Sequence, residues 1–97
     1  MNVLLICSMG ASTANMCKKI EGAAAQEGIE LTATAVAMAM MNDKIGWADV
    51  VLVGPQIRFM LDKVRAAAGD KPVEAIDMMA YGMMDGSKVL RQIKGMM

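Results

Sequence analysis

Asn2-Val3-Leu4-Leu5-Ile6-Cys7-Ser8-Met9-Gly10-Ala11-Ser12-Thr13 is the stretch on which the fold turns. Asn2 to Ile6 is almost continuously apolar, without polar alternation, which is the pattern of a strand buried on both faces of a parallel sheet. The run stops at Cys7-Ser8-Met9-Gly10, a turn pattern, and from Ser12 helical spacing takes over. Ala14, Cys17, Ile20 and Ala24 form an inward stripe, with Lys18, Lys19, Glu21 and Gln26 on the other face. Gly28 stops this helix.

The same alternation continues outward. Leu31 to Val36 intersperses apolar residues with Thr32 and Thr34, as expected of a second strand at a sheet edge. Ala37 to Met41, running into Asn42-Asp43-Lys44, reads as a loop or short helical turn. Asp49 introduces Val50 to Val53, a third buried strand broken by Gly54-Pro55, and Pro55 suits the first turn of a helix. That helix carries Ile57, Met60, Leu61, Val64 and Ala67 inward, Arg58, Asp62, Lys63 and Arg65 outward, and ends at Gly69-Asp70. Val73 to Ile76 is a short fourth strand closing at Asp77 and a Tyr81-Gly82 turn. A last helix runs from about Asp85 to Lys94 on Val89, Leu90 and Ile93. Regular alternation of strand and helix predicts an α/β fold: a four-stranded parallel open sheet flanked by helices on both faces, with right-handed crossovers.

The 97 residues suffice for one small domain, residues 1–97, and are too few for a second core. The chain is 56% hydrophobic but 3% aromatic, so Ala, Val, Ile, Leu and 13 methionines must fill the core. Ten basic residues balance ten acidic ones, which leaves no electrostatic footprint for nucleic acid or an anionic membrane. The chain has no histidine, and Cys7 and Cys17 form no paired metal motif or disulfide framework, so neither a metal site nor a cofactor is expected. Val3 to Ile6 lacks a basic flank and is too short for a signal peptide, and Ile6 before Cys7 does not suit lipoprotein cleavage, so a cytoplasmic location is expected. No apolar run approaches the roughly 20 residues of a membrane span, so direct membrane insertion is not expected.

Cys7 sits at the carboxyl end of the first strand, where open parallel sheets bind ligands. The Ser8-Met9-Gly10-Ala11-Ser12-Thr13 loop after it opens directly into a helix. Its backbone N–H groups can turn toward an anion, and the helix N-terminus adds partial positive charge. Ser8, Ser12 and Thr13 add hydroxyl donors. The same amides would stabilise a thiolate, so nucleophile and phosphate cradle coincide, as phosphoryl transfer through a phosphocysteine requires. On the loop alone a second reading stands beside it: Cys7 as a small buried hydrophobe at a strand end. Cys17, on the inward stripe, reads as core.

Cys7-Ser8 followed by Gly10 and Ser12-Thr13 resembles the phosphorylated-cysteine loop of the IIB components of bacterial sugar phosphotransferase systems, lactose and cellobiose type. Val51-Leu52-Val53-Gly54-Pro55-Gln56-Ile57 is similar to that family too. So are Lys71-Pro72-Val73-Glu74, Ile76-Asp77, Tyr81-Gly82 and Asp85-Gly86. One departure is Met9-Gly10-Ala11, where members commonly have a small residue and then Gly-Met. The resemblance implies the low-molecular-weight tyrosine phosphatase-like fold. It also implies a relay in which Cys7 takes a phosphoryl group from a phosphohistidine of a IIA protein. Cys7 would then pass the group to a sugar held by the membrane-embedded IIC permease, which brings the chain transiently to the inner face of the membrane. Tyr81, beyond the fourth strand, and Arg58 are candidate partner-surface residues. The bland readings are that Tyr81 caps the core and Arg58 lies on a solvated helix face.

The main alternative is a low-molecular-weight tyrosine phosphatase-like hydrolase, with Asp77 as its general acid. Such a site clamps the phosphoryl oxygens with an arginine six positions after the cysteine, and here that position is Thr13. A weaker clamp leaves a phosphocysteine available to a second acceptor, which favours relay over hydrolysis. A thiol-exchange module of Cys7 with Cys17 is a further alternative, disfavoured by the inward position of Cys17. Met38, Met40 and Met41 read as core or loop filling before partner surface.

Overall fold

The unbroken hydrophobicity of the first strand follows from its place in the sheet. In a computed structural model of the chain, which describes residues 1–7 and 10–96 and, at residues 10–12, the backbone alone, β1 (Asn2–Cys7) lies between β2 (Thr32–Ala37) and β3 (Val50–Val53), with β4 (Val73–Ala75) beyond β3. All three pairings are parallel. The helices are α1 (Gly10–Gln26), α2 (Met41–Lys44), α3 (Leu61–Ala68), α4 (Met78–Gly82) and α5 (Gly86–Met96), with tight 3₁₀ turns at Met38–Met40 and Pro55–Met60.

Alternate residues of the central strands enter two separate layers. Val3, Leu5, Val50 and Leu52 pack with Met16, Cys17 and Ile20 of α1 and Val89 and Ile93 of α5. Leu4, Ile6, Val51 and Val53 pack on the opposite face with Met41, Ile57, Val64 and Ala68. Both sides of each strand are therefore dry, and a polar residue on either would lose its water without gaining a partner.

Helix α1 begins at Gly10, earlier than the expected Ser12; of the expected stripe Cys17, Ile20 and Ala24 are buried and Ala14 is exposed, and Thr13, Met16 and Ala23 join the buried face. Periodicity through alanine-rich sequence leaves the phase ambiguous, and the larger Met16 takes the inward position. Gly28 ends α1 at φ +73°, in the left-handed region. The Ile29 N–H donates to Ala24 O at 2.9 Å and the Gly28 N–H to Ala25 O at 3.1 Å, a Schellman motif that satisfies two terminal carbonyls. The strand that follows is an edge strand, as its threonines predict. Its Ala33 N–H donates to the Glu21 carboxylate on α1 at 3.0 Å.

Pro55 does start a helical segment, but as 3₁₀, with Ile57 off the helical region at φ −121° and ψ 26°. The phase of α3 therefore runs from Leu61 through Val64 to Ala68, which is buried, and the expected Ala67 is exposed. Strand β4 ends at Ala75, although the next N–H, of Ile76, still donates to Val53 O at 2.8 Å. Tyr81-Gly82 is not a bare turn. It lies in α4, whose first residues follow Asp77, and Asp77 Oδ2 accepts the Ala80 N–H at 2.9 Å as an N-cap. Asp85 caps α5 through the Lys88 N–H at 3.1 Å. Gly86 is where α5 crosses α1: a β-carbon there would fall well under 3.0 Å from the backbone carbonyl of Lys19. No helix among the described residues is long and apolar enough to cross a membrane.

Candidate functional site

The chain leaves β1 through α1 on one face of the sheet and leaves its neighbour β3 toward α3 on the other. The carboxyl ends of β1 and β3 therefore form a topological switch point, the usual ligand crevice of an open α/β sheet. Cys7 closes β1 there, in register with Ala37 of β2 and 2% exposed, and its Sγ donates to Val36 O at 3.7 Å. Gly54 closes the other side. Its N–H donates to Ile6 O at 2.8 Å, and a β-carbon on it would lie 3.6 Å from Cys7 Cβ. From the sequence Gly54 reads as strand-to-helix punctuation on the functional edge of the sheet; the parallel register of β1 with β3 brings it against Cys7 as a wall of the site.

Of the predicted cradle, Ser8 and Met9 lie outside the described residues. Gly10, Ala11 and Ser12 supply backbone to the first turn of α1, their side chains outside the description as well. Thr13 is fully buried, and its Oγ1 lies 3.4 Å from Tyr81 Oη, hydroxyl to hydroxyl. Tyr81 is half-buried and packs against the α1/α5 layer. With Pro55, Gln56, Met78 and Gly82 it also lines a mainly apolar cavity of about 260 Å³. Arg58 is exposed on the 3₁₀ turn that starts at Pro55. Cys17 is core: burial first, then the charges of Glu21 and Cys7, push its thiol up to about 12, so it stays protonated near neutral pH. Of the methionine cluster, Met41 is buried, Met38 packs against the α2/α3 layer and Met40 is exposed.

The model of the lactose/cellobiose-specific IIB subunit of phosphotransferase systems matches residues 2–92. The chain belongs to that IIB family. It is 38% identical over 97 residues to the oligo-beta-mannoside-specific EIIB component of Bacillus subtilis strain 168, covering 98% of this chain and 94% of the relative. Its backbone matches the cellobiose-specific IIB protein of Borrelia burgdorferi at a TM-score of 0.78 and 34% identity, over 99% of this chain and 90% of that one. The lactose-specific IIB domain of Streptococcus pneumoniae superimposes with a TM-score of 0.87 at 21% identity, over 98% and 95%, a likeness of fold alone. The parallel sheet with helices on both faces is the low-molecular-weight tyrosine phosphatase-like fold of these IIB domains. Within that frame Asp77, the residue a hydrolase would need as general acid, has one carboxylate oxygen committed to capping α4.

Proposed function

We propose that this IIB subunit is a phosphoryl relay. The Cys7 sulfur attacks the phosphorus of a phosphohistidine on a IIA protein, an S–P bond forms, and the P–N bond breaks with its electron pair returning to the imidazole, which takes up the proton that the thiol gives up. A hydroxyl of a sugar held by the membrane-embedded IIC permease then attacks the same phosphorus. The O–P bond forms as the S–P bond breaks, and the hydroxyl proton passes to the departing sulfur, which regenerates the Cys7 thiol and releases sugar phosphate. The observation that carries this reading is Cys7 at the β1/β3 switch point with helix α1 beginning at Gly10 directly beyond it. In this relay the backbone N–H groups of the first helical turn and the positive helix end stabilise a phosphoryl group on the sulfur. Ser8 and Ser12 are the side-chain hydroxyls of this cradle, Thr13 adds its backbone there with its hydroxyl turned to that of Tyr81, and Arg58 and the ring of Tyr81, but not its hydroxyl, belong to the surface that meets IIA and IIC.

Thr13 in place of a clamping arginine, and Asp77 engaged as a helix cap, support transfer over hydrolysis. Cys7 is 2% exposed, so partner docking must open a path to the sulfur. The relatives are named for different sugars, which fits selection of the sugar by IIC. The subunit works in the cytoplasm and meets the membrane only through IIC.

Incubation with phosphorylated IIA is expected to give one phosphoryl adduct, on Cys7, which a Cys7→Ser variant does not form. An adduct on Cys17, or none, would sink the relay. Sustained turnover of an aryl phosphate by the purified chain would replace it with hydrolysis.

A further inference from the structure

Thr13 is the one fully buried polar side chain among the described residues, and its hydroxyl faces that of Tyr81, 68 positions away in the chain. A buried hydroxyl needs a partner, and removing that partner costs more than the bond itself is worth in water. Thr13 stands in the first turns of α1, the helix whose N-terminus adjoins Cys7.

That N-terminus lacks a common support. Asp or Glu in the first turn stabilises a helix start, and α1 has none. An acidic group there would repel a phosphoryl group, so a helix that must offer its N-terminus to an anion needs a neutral anchor from elsewhere. Tyr81 is such an anchor, and it is well held. The Asp77 cap fixes α4, and the Asp77 N–H donates to Gln92 Oε1 at 3.1 Å. Gln92 Nε2 in turn donates to Ala75 O at 2.8 Å and to the Glu74 carboxylate at 3.0 Å, so α5 ties the end of β4 to the start of α4. The Tyr81 ring packs on the α1/α5 layer, which leaves its hydroxyl little freedom.

We infer that Tyr81 is a positioning residue for phosphoryl transfer, acting through its hydroxyl on Thr13 to hold the first turns of α1 aimed at Cys7; this rests on the relay reading. The 3.4 Å separation is long for two hydroxyls, whose optimum is about 2.7–2.8 Å. Such pairs tighten when the site engages the reacting group, as hydrogen bonds at resting catalytic sites commonly do. The contribution therefore falls mainly on transfer, and less on folding.

The test is single-turnover and steady-state transfer from phosphorylated IIA to the wild type, Tyr81→Phe, Thr13→Val, Thr13→Ser and the Tyr81→Phe/Thr13→Val double variant. Tyr81→Phe and Thr13→Val are each expected to lower kcat about three- to ten-fold, the weight of a neutral hydrogen bond, with KM for IIA nearly unchanged. Thr13→Ser should recover most of what Thr13→Val loses. The double variant should be no slower than the slower single, because both remove one interaction. A wild-type rate in Tyr81→Phe, additive losses, or an effect confined to KM would overturn the inference, the last by making Tyr81 a docking contact. Amide NMR of the unphosphorylated protein separates this from failure of the relay itself. Tyr81→Phe should shift the Gly10–Thr13 resonances even if Cys7 never accepts a phosphoryl group, and an unchanged spectrum would refute the positioning role.

Discussion

The two layers on either side of the sheet use alternate residues of the same strands, yet they are built by different means. The layer over Val3 and Leu5 is built on two long helices, α1 and α5, with the short, capped α4 beside them; it is locked where Gly86 meets the Lys19 backbone and finished by the Schellman motif at Gly28 and the Asp85 cap. The layer over Leu4 and Ile6 is made of short pieces. Its helical segments starting at Met38, Met41, Pro55 and Leu61 begin without a side-chain cap, and Ile57 interrupts one of them. Lys71 Nζ helps by donating to Ile45 O at 2.7 Å and Gly46 O at 3.0 Å. The difference teaches where this fold needs rigidity: the locked layer carries the helix that faces Cys7, while the other layer needs only to be apolar and filled.

The comparison breaks most visibly at Gly86. Gly86→Ala forces a methyl group onto backbone that cannot swing aside, with an expected loss of about 4 kcal/mol, above the usual cost of overpacking, read by urea unfolding. A loss under about 1 kcal/mol would mean that α1 and α5 slide freely and that no lock exists.

Leu5 and Leu4 are both fully buried neighbours on β1, one in each layer, so they test the contrast under matched conditions. Leu5→Ala is expected to cost about 3.5 kcal/mol and Leu4→Ala about 2.5 kcal/mol, because the layer of short, uncapped pieces collapses further into the vacated space. Equal losses, or the reverse order, would remove the distinction in stiffness.

The last test concerns how dry the locked layer is. Cys17 is raised from 9.0 to about 12, chiefly by burial, so the folded chain keeps a proton that the unfolded chain releases. Its contribution to stability is constant below pH 9.0 and declines as pH rises toward about 12. The slope is at most about 1.4 kcal/mol per pH unit. Subtracting the unfolding free energy of Cys17→Ala from that of the wild type across this range isolates the slope from lysine and tyrosine titration. A flat difference would mean that water reaches the thiol.

Much of this was legible beforehand because it rests on local pattern. The Val50–Val53 run, the Gly54-Pro55 break and the Val89, Leu90 and Ile93 face each follow from one short window. What misled was phase: Ala67 is as apolar as Ala68, which is buried in its stead, and Ala14 gives way to the neighbouring Thr13 and Met16, so hydrophobicity alone does not choose between close positions. Helix α4 was missed because five residues are too few for a period, and its cap, Asp77, was read for its acidity.

The chain alone determined a parallel α/β sheet with a cysteine at the end of its first strand and a small-residue loop after it, since strand and helix periods and the Cys7-to-Thr13 composition are written in consecutive residues. The tertiary structure decided the strand order β2-β1-β3-β4, the placing of Gly54 against Cys7, and the meeting of Thr13 with Tyr81. These join residues far apart in sequence, and their proximity exists only once the two layers have closed on the sheet.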